Sequence, residues 1–286
     1  MLNFIARQWR GEAPFWLSVL VFSLLLPWAA VFAGISWLSV FTIDQTPVSS
    51  MTAAAVVFTV IAIIAVWQLV GTWRASSRAR SPDRLFVTRW LARIVAIAGF
   101  LISAAAFATM PGAMANYYAE ATDADWIGQK GHSVTVEDDQ IIVSGHMSWG
   151  LYNEFVAALN DNPDIRTVVL NSPGGHYAVG LRMGRLIHDR SIDTLTTQMC
   201  GSACTYAFIG GQNRLLQEGA QLAFHAMAGN TEIVLARMQR HGAEMLKAAD
   251  VPDEFIARIF ATPAEEAWFP TVDELREANV ITDVVS

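Results

Sequence analysis

Charge is scarce in this 286-residue chain: Asp, Glu, Lys and Arg make up 16% of it, hydrophobic residues make up 53%, and the mean hydropathy is +0.34. So apolar a composition excludes intrinsic disorder and argues against a purely cytosolic globule. Cysteine is nearly absent, with only Cys200 and Cys204, and the six histidines are scattered. No paired metal ligands occur at the spacing a zinc site needs. Lysine is limited to Lys130 and Lys247, and residues 113–286 carry a net charge of −12. Binding to nucleic acid needs an excess of basic residues on one face, so a nucleic-acid partner is excluded. No nucleotide-binding motif is present, and no cofactor is expected.

What is present first is a set of long uncharged runs. Ala13–Ile43, Gln45–Trp73 and Ile94–Ala119 hold no charge over 31, 29 and 26 residues. Each exceeds the roughly 20 apolar residues that span a bilayer. They predict a membrane region over 1–112, with transmembrane helices at about 14–40, 51–73 and 91–110 and a kink at Pro27. Trp9, Trp16, Trp37, Trp67, Trp73 and Trp90 lie mostly near span ends, where indole suits the headgroup level.

The region before residue 113 carries a net +5, from eight Arg and three acids. Arg7 and Arg10 precede the first span, and Arg74, Arg78, Arg80, Arg84, Arg89 and Arg93 fill the stretch between the second and third, whereas Asp44–Ser50 holds no base. Basic short loops stay on the cytoplasmic side. The expected topology is therefore a multi-pass protein of the bacterial inner membrane with its N-terminus in the cytoplasm. Everything after Met110 then lies outside it, in the periplasm of a Gram-negative cell.

Residues 113–131 read as an interfacial linker, and 132–286 as one α/β domain. Ser133–Glu137 and Ile141–Ser144 alternate around Asp138-Asp139, which predicts a hairpin. Strands at Thr167–Leu170, Thr194–Thr197 and Gln221–Phe224 alternate with helices at Trp149–Leu159, Val179–Asp189 and Ser202–Ile209, which implies parallel βαβ units. Helices over 231–249 and 252–260 follow. Thr271 with Glu274 forms a capping-box start, and Val280–Val285 closes as a strand.

In such folds reactive groups gather at the carboxyl ends of strands. Three loops fit: Ser172-Pro173-Gly174-Gly175, Cys200-Gly201-Ser202-Ala203-Cys204, and Phe224-His225. A glycine pair can present N–H groups to a developing anion. Ser202 sits at a strand-to-helix turn, where a nucleophilic hydroxyl is exposed beside the next N–H. His225 ends the following strand and can take the serine proton. Each has a plainer reading alone, as an ordinary turn, a helix N-cap or a structural histidine, but their order is more specific than any one of them.

In this order the residues resemble the Clp protease proteolytic subunit and, more broadly, the Clp/crotonase superfamily. The resemblance covers about Ser133–Val285. Asn171-Ser172-Pro173-Gly174-Gly175 followed by Gly180 is similar to the family's glycine loop; Ser202 through Ile209 with Gly210-Gly211 is similar to its nucleophile helix; Trp268-Phe269-Pro270-Thr271 resembles its C-terminal segment. It implies a ββα-unit domain after the three transmembrane helices, a Ser202/His225 acyl-enzyme mechanism on polypeptide, an oxyanion hole from Gly175 and Ala203, and a homo-oligomer on the lipid bilayer. The chain departs from the family in three places. Cys200 and Cys204 bracket the serine, Ala226-Met227 replaces Gln-Pro after the histidine, and Ala267 stands where the family has its third catalytic member. Glu266, one residue away, is the expected substitute, with Glu265, Asp250, Asp273 or a plain dyad as alternatives. The related signal peptide peptidase A family pairs Ser with Lys, and neither lysine here lies in a strand-end loop.

Three functions follow from this pattern: a membrane-anchored extracytoplasmic serine peptidase, an inactive Clp-like interaction or assembly module, and a crotonase-type enzyme on acyl thioesters. The extracytoplasmic location argues against the last. The two cysteines, four apart across the nucleophile turn, are expected as free buried thiols, because side chains on one helical turn rarely aim at each other.

Overall fold

The computed structural model describes the chain except for residues 1, 43–44, 79–84, 123–130 and 230. Asp44, Arg80, Arg84, Lys130 and most of the second half of the expected linker lie outside the described residues. The chain divides into two compact units, one formed by Met1–Thr42 with Pro47–Tyr118, the other by Ile43–Thr46 with Ala119–Ser286.

The first unit is helical. It contains α1 (Leu2–Arg10), α2 (Phe15–Leu17), a π-helical stretch at Ser18–Leu25, α3 (Leu26–Phe41), α4 (Pro47–Arg78), α5 (Leu85–Ala108) and the start of α6 (Met110–Thr122). Three helical stretches, Phe15–Phe41, Pro47–Arg78 and Val87–Ala119, are long and apolar enough to cross a membrane. The irregularity expected at Pro27 falls just before it. Proline has no N–H to bond four residues back, and the preceding turns widen, so that Leu26 N–H bonds to the Val21 carbonyl five residues back. Polar side chains inside this unit satisfy one another: Ser18 Oγ donates to Gln8 Oε1 at 2.7 Å, and Thr72 Oγ1 donates to the Ser18 carbonyl at 3.0 Å. The sequence reading ends the third span at 110 and starts a linker at 113, but helix continues through α6 to Thr122. Pro111-Gly112 reads as a break, yet proline is tolerated in a helix's first turn, where its missing N–H has no helical acceptor.

The second unit is a mixed α/β domain. β1 (His132–Glu137) and β2 (Gln140–Gly145) form the expected hairpin, with Glu137 opposite Gln140. There follow α7 (Trp149–Asp161), β3 (Thr167–Asn171), α8 (Tyr177–Asp189), β4 (Asp193–Thr196), β5 (Met199–Gly201), α9 (Ala203–Ile209), β6 (Arg214–Gln217), β7 (Gln221–Ala223), α10 (Glu232–Ala248), α11 (Asp253–Ala261), α12 (Val272–Glu277) and β8 (Asp283–Val285). The main sheet has the order β1-β2-β3-β4-β6-β8, parallel from β2 onward. Such sheets are covered by helices on both faces and their strands are apolar on both. Accordingly Val168 and Leu170 of β3 are fully buried, within a core that includes Phe155, Leu181, Ile187 and Phe208.

β5 and β7 leave this sheet and pair with each other in parallel, Gly201 opposite Ala223. The loop that carries Ser202 thereby lies beside the strand that leads to His225. α9 is held close to α8 because Gly180 has no side chain: a Cβ there would collide with the Ala203 carbonyl.

Candidate active site

Ser202 follows β5 directly and precedes α9, at φ 53° and ψ −122°. A non-glycine residue rarely holds a positive φ, and such residues cluster at functional sites. It occupies the N-cap position of α9 without making a side-chain capping bond, so capping does not explain the serine. Its backbone is fixed on both sides. Ser202 N–H donates to the Ala223 carbonyl at 2.9 Å, and the Ser202 carbonyl accepts from Thr205 N–H at 3.0 Å and from Thr205 Oγ1 at 2.7 Å. The side chain is partly exposed.

The glycine loop approaches from the end of β3. Gly174 and Gly175 both have positive φ, 108° and 148°. A Cβ on Gly174 would lie 2.7 Å from Ser202 Cβ and 3.1 Å from Ala203 N, so the loop touches the nucleophile turn itself. Met147 N–H donates to the Gly174 carbonyl at 2.8 Å, and His176 N–H donates to the Met147 carbonyl at 2.9 Å. Backbone groups alternate in direction along an extended segment, so these two bonds to one side leave Gly175 N–H on the other. Ala203 N–H begins α9, where no helical acceptor exists. Gly175 and Ala203, the two residues expected to supply oxyanion donors, line the same cavity.

Ser202, His225, Gly175 and Ala203 line one cavity of about 340 Å³. His225 is half-buried, and its Nδ1 lies 2.7 Å from the Ala226 carbonyl. A carbonyl can only accept, so Nδ1 donates this bond, and in the neutral imidazole Nε2 is then the acceptor. Among the described residues no hydrogen bond joins Ser202 to His225. Catalytic hydrogen bonds are often long before substrate binds. Sequence reasoning missed two further residues of this wall, His176 and Tyr206. His176 had a signal, its position next to Gly175. Burial pushes the Tyr206 hydroxyl above the usual phenol range, so it remains a hydrogen-bond donor. A larger cavity, about 520 Å³, lined by Arg185, His188 and Arg214 among others, contains none of the predicted site residues.

The expected acid, Glu266, is exposed in a turn where its own N–H bonds to the Pro263 carbonyl at 3.0 Å, and among the described residues no hydrogen bond or ion pair joins it to His225. Phe224 and Trp268 pair across an antiparallel bridge, which puts Ala267 beside His225 and turns its neighbour to solvent. The tautomer is fixed by a backbone carbonyl instead. Glu266→Gln is therefore expected to change the rate of serine acylation by less than about twofold, measured with a fluorophosphonate; a tenfold loss would reinstate Glu266 as the orienting group.

The expectation of free thiols is overturned. Cys200 and Cys204 form a disulfide with a Cα–Cα distance of 5.3 Å. The expectation of free thiols assumed one helical turn, but Cys200 belongs to β5. The left-handed backbone at Ser202 folds the chain back so that the strand end faces the first turn of α9.

No protein-family model matches this chain, and no curated protein matches it. Among solved structures, ClpP1 from Listeria monocytogenes is 18% identical over 52% of this chain and 91% of its own, with a TM-score of 0.43. A point mutant of that protein is 19% identical over the same shares, with a TM-score of 0.42. The chain has ClpP-like structural neighbours at low identity and partial coverage.

Proposed function

We propose that this chain is a membrane-anchored serine peptidase that hydrolyses polypeptide outside the cytoplasm. The observation that carries the reading is the shared cavity: a serine on a left-handed strand-to-helix turn and a histidine with Nε2 as acceptor, at the ends of two paired strands. In the proposed mechanism Ser202 Oγ attacks the scissile carbonyl carbon while His225 Nε2 takes its proton. The oxyanion is held by Gly175 N–H and Ala203 N–H, where one lost donor typically costs ~2.7–4 kcal/mol. His225 returns the proton to the leaving amine, and an acyl-enzyme remains. Water, deprotonated by the same nitrogen, releases the acid and restores Ser202.

The orientation is supported by two independent features. Six arginines lie between the second and third apolar stretches, and the C-terminal domain contains a disulfide, a bond that persists in oxidising compartments. A reporter active only in the cytoplasm is expected to work when fused after Arg80 and to fail when fused after Ser286; the reverse pattern would sink the proposed location.

The reaction is tested with a fluorophosphonate on the full chain. Labelling of the wild type and none of Ser202→Ala is the expected result, and label on Ser202→Ala would reject this nucleophile. One observation favours the second reading, an inactive Clp-like assembly module: His225 meets a carbonyl rather than a carboxylate. A folded wild type that resists the reagent would favour that module.

A further inference from the structure

We propose that the Cys200–Cys204 disulfide positions the nucleophile, and that the oxidised chain is the active form. The inference rests on the reading of Ser202 as nucleophile and assigns a role to a bond that the proposed mechanism leaves idle. The bridge spans the serine symmetrically, from two residues before it to two after. Both cysteines are fully buried in the core around the site. Cys200 is itself tied to the glycine loop: it forms a parallel bridge with Ser172, Ser172 N–H donates to the Met199 carbonyl at 2.9 Å, and Gly201 N–H donates to the Ser172 carbonyl at 2.9 Å. Cys204 lies in the first turn of α9, next to the Ala203 amide. One covalent bond therefore joins the anchor of the glycine loop to the helix that carries the second oxyanion donor.

Such a clamp has a task here. Ser202 holds a backbone conformation that persists only when its surroundings enforce it. α9 has seven residues, fewer than a helix needs to be stable alone, and β5 has three. Neither element is stable by itself, so the geometry of the turn depends on what holds its two sides together. The bridge makes the two sides of the serine one unit, so opening of α9 no longer carries the Ala203 amide away from Gly175. Other parts of the cavity wall, including Met227, Met238 and Ile259, belong to elements outside the bridged loop. Loss of the bridge should therefore slow the chemical step and leave reagent affinity nearly unchanged.

Reduction would proceed by attack of a dithiol's thiolate on one sulfur, followed by release of the second cysteine when the other thiol closes on the mixed disulfide. The chain gains two thiols and the dithiol becomes a disulfide. Because neither sulfur is exposed, this exchange requires opening of the turn, and a chain delivered outside the cytoplasm stays oxidised.

The test uses the full-length chain in detergent in three forms: oxidised, reduced with a dithiol under mild opening conditions and returned to native buffer, and the Cys200→Ala/Cys204→Ala double variant. Amide hydrogen exchange over 199–209 is compared with exchange over 149–161, and fluorophosphonate labelling is resolved into a maximal rate and a half-saturating concentration. Expected are at least a tenfold faster exchange at 199–209 without change at 149–161, at least a tenfold lower maximal labelling rate with the half-saturating concentration within twofold, and recovery of both on reoxidation of the reduced wild type. Unchanged exchange in the reduced chain would overturn the clamp, as would faster exchange with an unchanged labelling rate. If the double variant does not fold, the reduced wild type carries the comparison. If the oxidised chain takes no label, the nucleophile reading fails by itself, and exchange alone decides whether the bridge holds the turn.

Discussion

His225→Ala is expected to lower the maximal rate of fluorophosphonate labelling at Ser202 by about 10²–10⁴-fold, equivalent to ~3–5 kcal/mol of barrier. The chain should remain folded, because the imidazole is half-buried and its bond to the Ala226 carbonyl is local. Without an acceptor near Ser202 Oγ, the hydroxyl must lose its proton to water during attack. The amides of Gly175 and Ala203 are untouched, so residual labelling above that of Ser202→Ala should persist. His225→Gln provides the control, since an amide oxygen can accept a hydrogen bond but is far too weak a base; it should be as slow as the alanine variant. A loss smaller than tenfold in both would remove His225 as the base.

Gly174→Ala should abolish labelling to within about 10²-fold of the Ser202→Ala background and destabilise the domain by ~2–4 kcal/mol, the sum of a strained φ and an overpacked contact. The added methyl would meet the Gly201 carbonyl and Ser202 Cβ, both at 2.7 Å, from a residue at φ 108°. None of the atoms it meets is the far end of a flexible side chain, so relief requires the nucleophile turn to move. Ala at Gly219 serves for comparison: its φ is 85°, and a Cβ there meets nothing within 4 Å. That variant carries the backbone strain without the collision and should keep labelling. Equal labelling by both variants would show that the glycine loop does not set the position of the serine.

Much of this arrangement was legible in the residues. The uncharged runs marked the long helices, the Asp138-Asp139 turn marked the hairpin, and Thr271 with Glu274 forms the capping box that their spacing announced. Ser202 stands out at the start of a short apolar helix, and His225 at the end of an apolar strand. The missed parts share a cause, dependence on distant partners. β5 has three residues, too few for a periodic pattern. β6 opens with Arg214, which reads as surface, yet its guanidinium is buried against the carbonyls of Gly211, Asn279 and Val280, two of them more than sixty residues away. A carbonyl that orients an imidazole leaves no trace in composition, whereas a carboxylate does, and Glu266 is the acid that the sequence offers. The disulfide was misread for the same reason, because the backbone at Ser202, not the four-residue spacing, brings the cysteines together.

The separation of β5 and β7 from the main sheet places a premium on phase rather than on length. The 22 residues between Ser202 and His225 build α9, β6, a turn and β7, and the part before β7 sets no phase of its own. What must survive is the parity with which β7 re-enters beside β5. A one-residue slip turns every side chain of a strand to the opposite face; it would take the imidazole out of its present place and push it into the space where Phe224 now packs against Phe255 and Trp268. Insertions among relatives are therefore expected in the turn around Glu218–Gly219, where the chain can absorb them, and not within 221–225. A chain with a slipped β7 could remain folded and carry both residues, yet be silent.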